Sequence, residues 1–122
     1  MKILIIEDHA VRLLWKELLE SFGVQVEVAV TPEEALEKFR MHSDWTVILL
    51  DGEIGEAQFN CLPVLTEILR TYSGKIVATS DKVELRKIQM EKGCTEDSQG
   101  KPNVLALLSK FIQFPEALPK AA

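Results

Sequence analysis

Several features that would assign this chain to a specialised class are missing from its sequence. It has only two cysteines, Cys61 and Cys94, with no CxxC pair and no histidine at ligand spacing, which argues against a disulfide framework or a zinc site. No apolar run approaches the roughly 18 residues of a membrane span. The amino terminus reaches Glu7 after four apolar residues, too few for a secretory signal. We therefore expect reduced cysteines, a cytoplasmic location and no membrane contact.

An excess of basic residues is also missing. The 14 Lys and Arg residues against 19 Asp and Glu give a formal net charge of −5, which disfavours general affinity for nucleic acid or anionic lipid. With 47% hydrophobic and 27% charged residues in a chain of 122, the composition is that of one globular domain rather than of a disordered or fibrous protein. We expect this domain to span residues 1–114, followed by a tail or truncated linker at 115–122.

Four short apolar runs alternate with segments of helical length and period. Such alternation is typical of βαβ units, and nearly continuous apolar runs suit strands that helices cover on both faces. A fifth strand, near 97–100, lacks an apolar signal. The sequence predicts an α/β domain with a doubly wound, five-stranded parallel sheet and five helices. The apolar runs are Ile3–Ile6, Val24–Val30, Trp45–Leu50 and Lys75–Thr79.

Start signals and apolar stripes define the predicted helices. The second begins with Thr31-Pro32-Glu33-Glu34, a capping box with proline in the first turn. The fourth, about 83–92, has few apolar residues, so we expect its packing to be the loosest. The inward residues predicted for the first (11–22), third (near Pro63) and fifth (102–114) helices are Val11, Leu14, Leu18 and Phe22; Leu62, Leu65, Ile68 and Leu69; and Val104, Leu107, Leu108 and Phe111.

Polar side chains follow the predicted strands. They are Glu7-Asp8, Asp51, Thr79-Ser80 and Lys101-Pro102. Ligands of doubly wound sheets bind beyond the carboxyl ends of the strands, so we expect these groups to converge. Two carboxylates about 5 Å apart repel by roughly 3 kcal/mol at an effective dielectric of about 20, so three of them require a raised pKa or a cation. Oxygen ligands without His or Cys favour a hard ion such as Mg²⁺.

The order and spacing of these residues resemble those of the receiver domain of two-component response regulators. Asp51 follows Asp8 by 43 residues, Thr79 follows Asp51 by 28, and Lys101 follows Thr79 by 22. The resemblance covers nearly the whole chain. It implies a flavodoxin-like sheet with strand order 2-1-3-4-5.

The resemblance also implies roles for the acidic residues. Asp51 would be the phosphoacceptor, taking a phosphoryl group from a phosphohistidine of a histidine kinase or phosphotransfer protein, or from a small acyl phosphate. Asp8, Glu7, Asp51 and the backbone carbonyl of Glu53 would hold Mg²⁺. The implied chemistry extends at most to the domain's own phosphorylation and dephosphorylation, not to multi-turnover catalysis.

Two further residues would complete the switch that the resemblance implies. Thr79 and Lys101 would orient and neutralise the phosphoryl oxygens. A hydroxyl drawn toward the new charge would move the loop after the fourth strand. The surface of the fourth helix, fifth strand and fifth helix would then meet a downstream protein or a fused output domain, and a homodimer through that surface is compatible with the resemblance.

The sequence departs from the family pattern at two places. The loop after Asp51 reads Gly52-Glu53-Ile54-Gly55 and lacks the proline that the family tends to place there. Ser98 occupies the position, three residues before Lys101, where the family often has an aromatic residue that changes rotamer with the threonine. Glu53 and Asp81 add negative charge near the expected phosphoryl group. We therefore expect an altered lifetime of the phosphorylated state, of either sign.

Other functions stay open at this point. A receiver-like interaction module could keep the acids and signal without phosphorylation. A Mg²⁺-dependent nuclease, or a phosphatase with an aspartyl nucleophile, could also place Glu7, Asp51 and Glu53 at strand ends, although the short chain and its net acidity argue against both. His9 is interpreted as an exposed residue at the mouth of the site. The output, and whether the domain stands alone or belongs to a larger regulator, are not encoded in these features.

Overall fold

The computed structural model describes residues 1–55, 60–110 and 112. This part of the chain contains a five-stranded parallel sheet with the order β2-β1-β3-β4-β5 and five α-helices, so the predicted fold class and strand order are confirmed. A 3₁₀ turn at Lys101–Asn103 precedes the last helix. The elements are β1 (Lys2–Ile6), α1 (Val11–Ser21), β2 (Gln25–Ala29), α2 (Pro32–Arg40), β3 (Val47–Leu50), α3 (Cys61–Leu69), β4 (Lys75–Ala78), α4 (Val83–Lys92), β5 (Glu96–Asp97) and α5 (Val104–Leu108).

The central strands are apolar on both sides because helices cover both faces of the sheet. Residues 3–6, 47–50 and 76–78 have no exposed surface. Side chains alternate between faces along a strand, so Leu4 and Ile6 join the cluster with α2 and α3, whereas Ile3 and Ile5 join the cluster with α1 and α5. The sheet is therefore a rigid platform whose carboxyl edge is the place where polar groups can meet.

The start of α2 follows the predicted capping pattern. Thr31 is the N-cap, and its Oγ1 accepts a hydrogen bond from the Glu34 N–H at 3.1 Å, with Pro32 in the first turn. The Glu34 carboxylate accepts the N–H of Val30 rather than that of Thr31. The local sequence thus determines where this helix begins.

The predicted inner face of α1 is only partly correct: Val11 packs against the core, but the inward position of Leu14 is wrong. Trp15 and Leu19 are buried, whereas Leu14 is 54% exposed and Leu18 is half-buried. Residues three or four apart lie on the same face of a helix. In α1, Leu14 with Leu18 and Trp15 with Leu19 form two adjacent apolar rows, so periodicity alone does not decide which row faces the sheet. The large indole of Trp15 takes the inner row and turns Leu14 to the outside.

A similar correction applies to α3. Cys61, Val64, Leu65 and Ile68 are buried, but Leu69 at the end of the helix is 39% exposed. Leu65 and Ile68 were predicted to face inward, and they do. The predicted inward position of Leu69 is wrong because Val64 and Ile68 share the inner row.

The carboxyl-terminal part of the domain is only partly described. Val104 and Leu108 of α5 are buried and Leu107 is half-buried. The predicted continuation of this helix to residue 114, the inward position of Phe111 and the tail at 115–122 lie outside the described residues. In the described part, no helix combines the length and the apolarity that crossing a membrane would need.

Candidate functional site

The sheet places the polar residues after β1, β3 and β4 side by side. The ladder of hydrogen bonds continues one residue beyond each strand, with the N–H of Glu7 on Ala29 O at 3.0 Å, that of Asp51 on Ile6 O at 3.0 Å, and that of Thr79 on Leu50 O at 3.1 Å. Parallel strands in register therefore present Glu7, Asp51 and Thr79 at one edge.

Three carboxylates converge at this edge. Each of Glu7, Asp8 and Asp51 offers an oxygen, and these oxygens lie within 4.8 Å of one another. Glu7 and Asp51 are buried, whereas Asp8 is exposed. A group of oxygen donors with one open side is suited to a hard divalent cation that retains water ligands.

Lys101 supplies the positive charge of the site. Its Nζ lies 3.1 Å from Glu7 Oε1 and 3.1 Å from Asp51 Oδ1, and the side chain is only 11% exposed. The Gly52 N–H donates to the same Asp51 oxygen at 2.8 Å. These contacts orient the Asp51 carboxylate before any ligand binds.

Burial sets the protonation of the site. It raises the pKa of Glu7 to about 8, with a hydrogen bond to Asp51 and repulsion by the Asp51 charge acting in the same direction and Lys101 opposing them. Burial alone would lower the pKa of Lys101, but attraction by Glu7 and Asp51 raises it. Without a cation, Glu7 is therefore largely protonated near neutral pH while Lys101 keeps its charge.

Thr79 lies at the inner wall of the site. It is fully buried; its Oγ1 donates to Glu7 Oε1 at 3.4 Å, and its carbonyl accepts from Lys101 Nζ at 3.4 Å. The hydroxyl therefore faces Glu7. The structure thus brings Thr79, Lys101 and the three acids together, as the sequence predicted.

A cleft of about 250 Å³ opens above Asp51. Glu53 lines it, but its carboxylate is bound to Lys82 Nζ at 2.8 Å, so its charge is already paired. The metal-ligand role predicted for the Glu53 backbone carbonyl stays a prediction. The cleft is lined by Asp8, His9, Asp51, Glu53, Gly55, Ser80, Asp81, Lys82 and Lys101.

His9 lies at the mouth of this cleft and is exposed, as expected. Its backbone N–H donates to Glu7 Oε2 at 3.2 Å, and its ring Nδ1 accepts the N–H of Val11 at 3.0 Å. These contacts satisfy the first turn of α1, so the ring has a structural role there.

Ser80 lines the cleft, as its position after β4 predicted, but sequence reasoning missed two other residues around the site. Lys82 neutralises Glu53, and Arg86 is only 6% exposed in the helix that was expected to pack most loosely. No local sequence pattern indicated the ion pair of Lys82, because its partner Glu53 lies on another loop. Two polar residues on one inward row, Arg86 and Gln89, were the available signal.

Comparison with known proteins bears on the fold. No family model matches the sequence, and no curated protein matches it. Among solved structures, a two-component response regulator from Clostridium difficile is 22% identical with a TM-score of 0.75, covering 90% of this chain and 91% of that one. A receiver domain protein (CheY-like) from Methanospirillum hungatei is 24% identical, with a TM-score of 0.68 and coverage of 89% and 88%.

A third structure is a response regulator from Thermotoga maritima in complex with Mg²⁺-BeF. It is 27% identical, has a TM-score of 0.72, and the match covers 89% of this chain and 94% of that one. The three similarities extend over nearly all of this chain and of each relative. Together with the strand order, they establish that this chain has the fold of response regulator receiver domains.

Proposed function

We propose that this chain is a cytoplasmic phosphoacceptor receiver domain in which Asp51 accepts a phosphoryl group from the phosphohistidine of a histidine kinase or phosphotransfer protein. The observation that carries the proposal is the position of Asp51. Its carboxylate ends β3 at the base of an open cleft, 3.1 Å from Lys101 Nζ and within 4.8 Å of oxygens of Glu7 and Asp8. The receiver fold supports the same assignment.

The donor set fits Mg²⁺. The acid group offers only oxygens, one acid is exposed to solvent, and Glu7 and Asp51 are too close to be ionised together without compensation. Glu7, Asp8 and Asp51 would hold the ion, with the Glu53 carbonyl as a further ligand. When bound, Mg²⁺ would neutralise carboxylate and phosphoryl charge.

The chemical step needs little more than positioning. An Asp51 carboxylate oxygen attacks phosphorus, a P–O bond forms as the P–N bond to the donor imidazole breaks, and the imidazole leaves with the electron pair and takes up a proton. Lys101 stabilises the negative charge of the transferring oxygens, and the Thr79 hydroxyl turns from Glu7 to one of them. The Gly52 N–H keeps the acceptor carboxylate oriented.

Phosphorylation adds about −1.5 to −2 charges beside Thr79 and Lys101. The segment after Thr79 leads directly into α4, whose outer face exposes Val83 and Lys87. We infer that the surface of α4, β5 and α5 contacts the downstream protein or output domain. In this view the domain is a switch, and its phosphorylation is stoichiometric.

Incubation with acetyl phosphate and Mg²⁺, followed by intact mass measurement, tests the proposal. We expect the wild type to gain one phosphoryl group that hydroxylamine removes, as an acyl phosphate requires. Asp51→Asn should gain none. Asp44→Asn is the matched control, because Asp44 precedes β3 at the opposite edge of the sheet and pairs with Lys2.

Other outcomes separate the competing functions. No mass gain in the wild type, with a cognate kinase also failing, would contradict phosphoacceptance and favour an interaction module. A gain that persists in Asp51→Asn would move the acceptor to another acid. Steady release of phosphate from an ester, or cleavage of DNA, would instead indicate an enzyme.

A further inference from the structure

The inner face of α4 carries a buried arginine that belongs to no apolar cluster. Arg86 is 6% exposed, and its guanidinium makes two short contacts: Nε donates to Asp97 Oδ1 at 2.7 Å, and one terminal nitrogen donates to the Ser80 carbonyl at 2.8 Å. A buried arginine is costly unless its donors are satisfied. Here the two acceptors adjoin two different loops, one after β4 and one after β5.

The first of these loops carries the threonine of the site. Ser80 directly follows Thr79, so the bond from Arg86 to the Ser80 carbonyl holds the peptide that follows the Thr79 side chain. Because Thr79 is itself anchored to β3 through its N–H on Leu50 O, fixing the next carbonyl leaves the segment little freedom.

The second loop carries the lysine of the site. Asp97 ends β5, and the same Oδ1 that binds Arg86 accepts the N–H of Gln99 at 2.8 Å. Further along this loop, the N–H of Lys101 donates to Asp81 Oδ1 at 2.8 Å. The loop from Asp97 to Lys101 is therefore tied to the Thr79–Asp81 segment at both of its ends.

Close approach between the two loops depends on Gly100. Its φ of +115° is a conformation that other residues rarely adopt. A Cβ there would lie 3.2 Å from the Asp81 carboxylate and 4.0 Å from the Arg86 guanidinium. Gly100 thus lets the Lys101 loop lie against Asp81 and Arg86.

We propose that Arg86 is a positioning residue that holds the Thr79 loop and the Lys101 loop in one fixed arrangement, so that the hydroxyl and the ammonium group reach the same phosphoryl group. The inference rests on the proposed function of Asp51. Preorganised groups bind better because they lose less freedom on binding. Since Arg86 belongs to α4, the same two contacts transmit a shift of the Ser80 carbonyl to that helix.

The metal site provides an internal reference for this role. Glu7, Asp8 and Asp51 follow β1 and β3, and none of them contacts Arg86 among the interactions of the described residues. Loss of Arg86 should therefore weaken binding of a phosphoryl group and leave the binding of Mg²⁺ alone unchanged. A merely structural role would weaken both.

Beryllofluoride, a phosphoryl analogue, measures this difference. Mg²⁺ is titrated alone by calorimetry, and beryllofluoride is then titrated at saturating Mg²⁺. For Arg86→Met we expect Mg²⁺ affinity within about two-fold of the wild type and beryllofluoride affinity lower by about ten-fold or more, since a hydrogen bond to a charged group is worth at least one decade. Arg86→Lys keeps the charge but lacks the planar guanidinium that donates to two acceptors, so its loss of beryllofluoride affinity should be intermediate.

Lys87→Met is the matched control, because it removes one positive charge from the exposed face of the same helix. It should leave both affinities unchanged. If Arg86→Met does not fold, Asp97→Asn decides, because an amide oxygen still accepts the Gln99 N–H while the charge that binds Arg86 is gone. This variant should also lose beryllofluoride affinity selectively.

The outcomes are distinguishable. Wild-type protein that binds neither beryllofluoride nor a phosphoryl group overturns both the proposed function and the role of Arg86. Wild-type binding with equal beryllofluoride affinity in Arg86→Met, or a parallel loss of Mg²⁺ affinity, overturns the role of Arg86 alone. Selective loss in Arg86→Met and Asp97→Asn, with Lys87→Met unchanged, supports it.

Discussion

The two helices that flank the carboxyl half of the sheet are held by different forces. α3 buries Cys61, Val64, Leu65 and Ile68 in the cluster beneath the sheet. α4 buries one apolar side chain, Leu85, and two polar ones, Arg86 and Gln89, which donate to backbone carbonyls just after β4 and at the end of β3.

This difference has a physical consequence. Apolar burial is not directional, so α3 is stabilised by the amount of surface that it covers. Hydrogen bonds depend on direction, so α4 is held at a position that the carbonyls determine. A small movement at the strand ends should therefore displace α4 and leave α3 in place.

The largest expected effect lies in α3. Replacing Ile68, which has no exposed surface, with alanine leaves a cavity and should lower the free energy of unfolding by about 2–5 kcal/mol. Urea denaturation measures this loss. Leu69→Ala, at a position that is 39% exposed in the same helix, is the control and should cost much less; similar losses would show that α3 is not held by its inner row.

The acid group should make the metal-free protein sensitive to pH. Because the pKa of Glu7 is raised from 4.5 to about 8, the folded state holds a proton that the unfolded chain releases between these values. Stability should therefore fall as pH rises from about 4.5 to 8, by up to a few kcal/mol, and level off above that range.

Urea denaturation at several pH values in a metal chelator checks this sign. Glu7→Gln carries no titrating proton and should show a flatter profile over the same range. Amide hydrogen exchange over the same pH range should also distinguish the two helices. The exchange rates of α4 should change with pH more than those of α3, because α4 is hydrogen-bonded to the segment after Thr79 and α3 is not. A profile for the wild type that rises with pH would contradict the assignment.

Gly52, the residue after Asp51, contacts Leu85 of α4, and this contact should be sensitive to the size of the side chain at position 52. A Cβ on Gly52 would lie 2.9 Å from Leu85 Cβ, which is too close for either group to remain in place. Gly52→Ala should therefore push α4 outward and cost about 1–3 kcal/mol. Faster amide exchange in α4, with unchanged exchange in α3, is the expected signature; equal changes in both helices would contradict a local effect.

The smallest expected effect concerns Gln89. Its side-chain amide donates to Leu50 O at 2.9 Å, but that carbonyl also accepts the N–H of Thr79, and Gln89 Oε1 is buried without a partner among the described residues. Gln89→Leu removes the unpaired oxygen and leaves Leu50 O satisfied, so stability should change by less than about 1 kcal/mol. A loss comparable to that of Ile68→Ala would mean that this bond is a main attachment of α4.

Local patterns determined much of the fold before the structure was known. The apolar runs at 3–6, 45–50 and 75–79 indicated strands covered by helices on both faces, and Thr31 with Pro32 began a helix where capping chemistry requires it. The neighbourhood of the acids with Lys101 also followed from the sequence, because residues after parallel strands meet at one edge. The inner row of α1 followed only in part, since Val11 packs against the core as predicted whereas Leu14, which is equally apolar, is exposed.

The sequence by itself determined which residue types lie at each strand end, and therefore which chemistry the edge of the sheet can hold. Only the tertiary structure decided which ionisable groups contact one another there: Lys101 with Glu7 and Asp51, Glu53 with Lys82, and Arg86 with Asp97. The physical reason is that hydrophobic periodicity is a pattern of neighbouring residues within one helix or strand. An ion pair instead depends on the distance between two loops, which are far apart in the sequence and are brought together by the sheet.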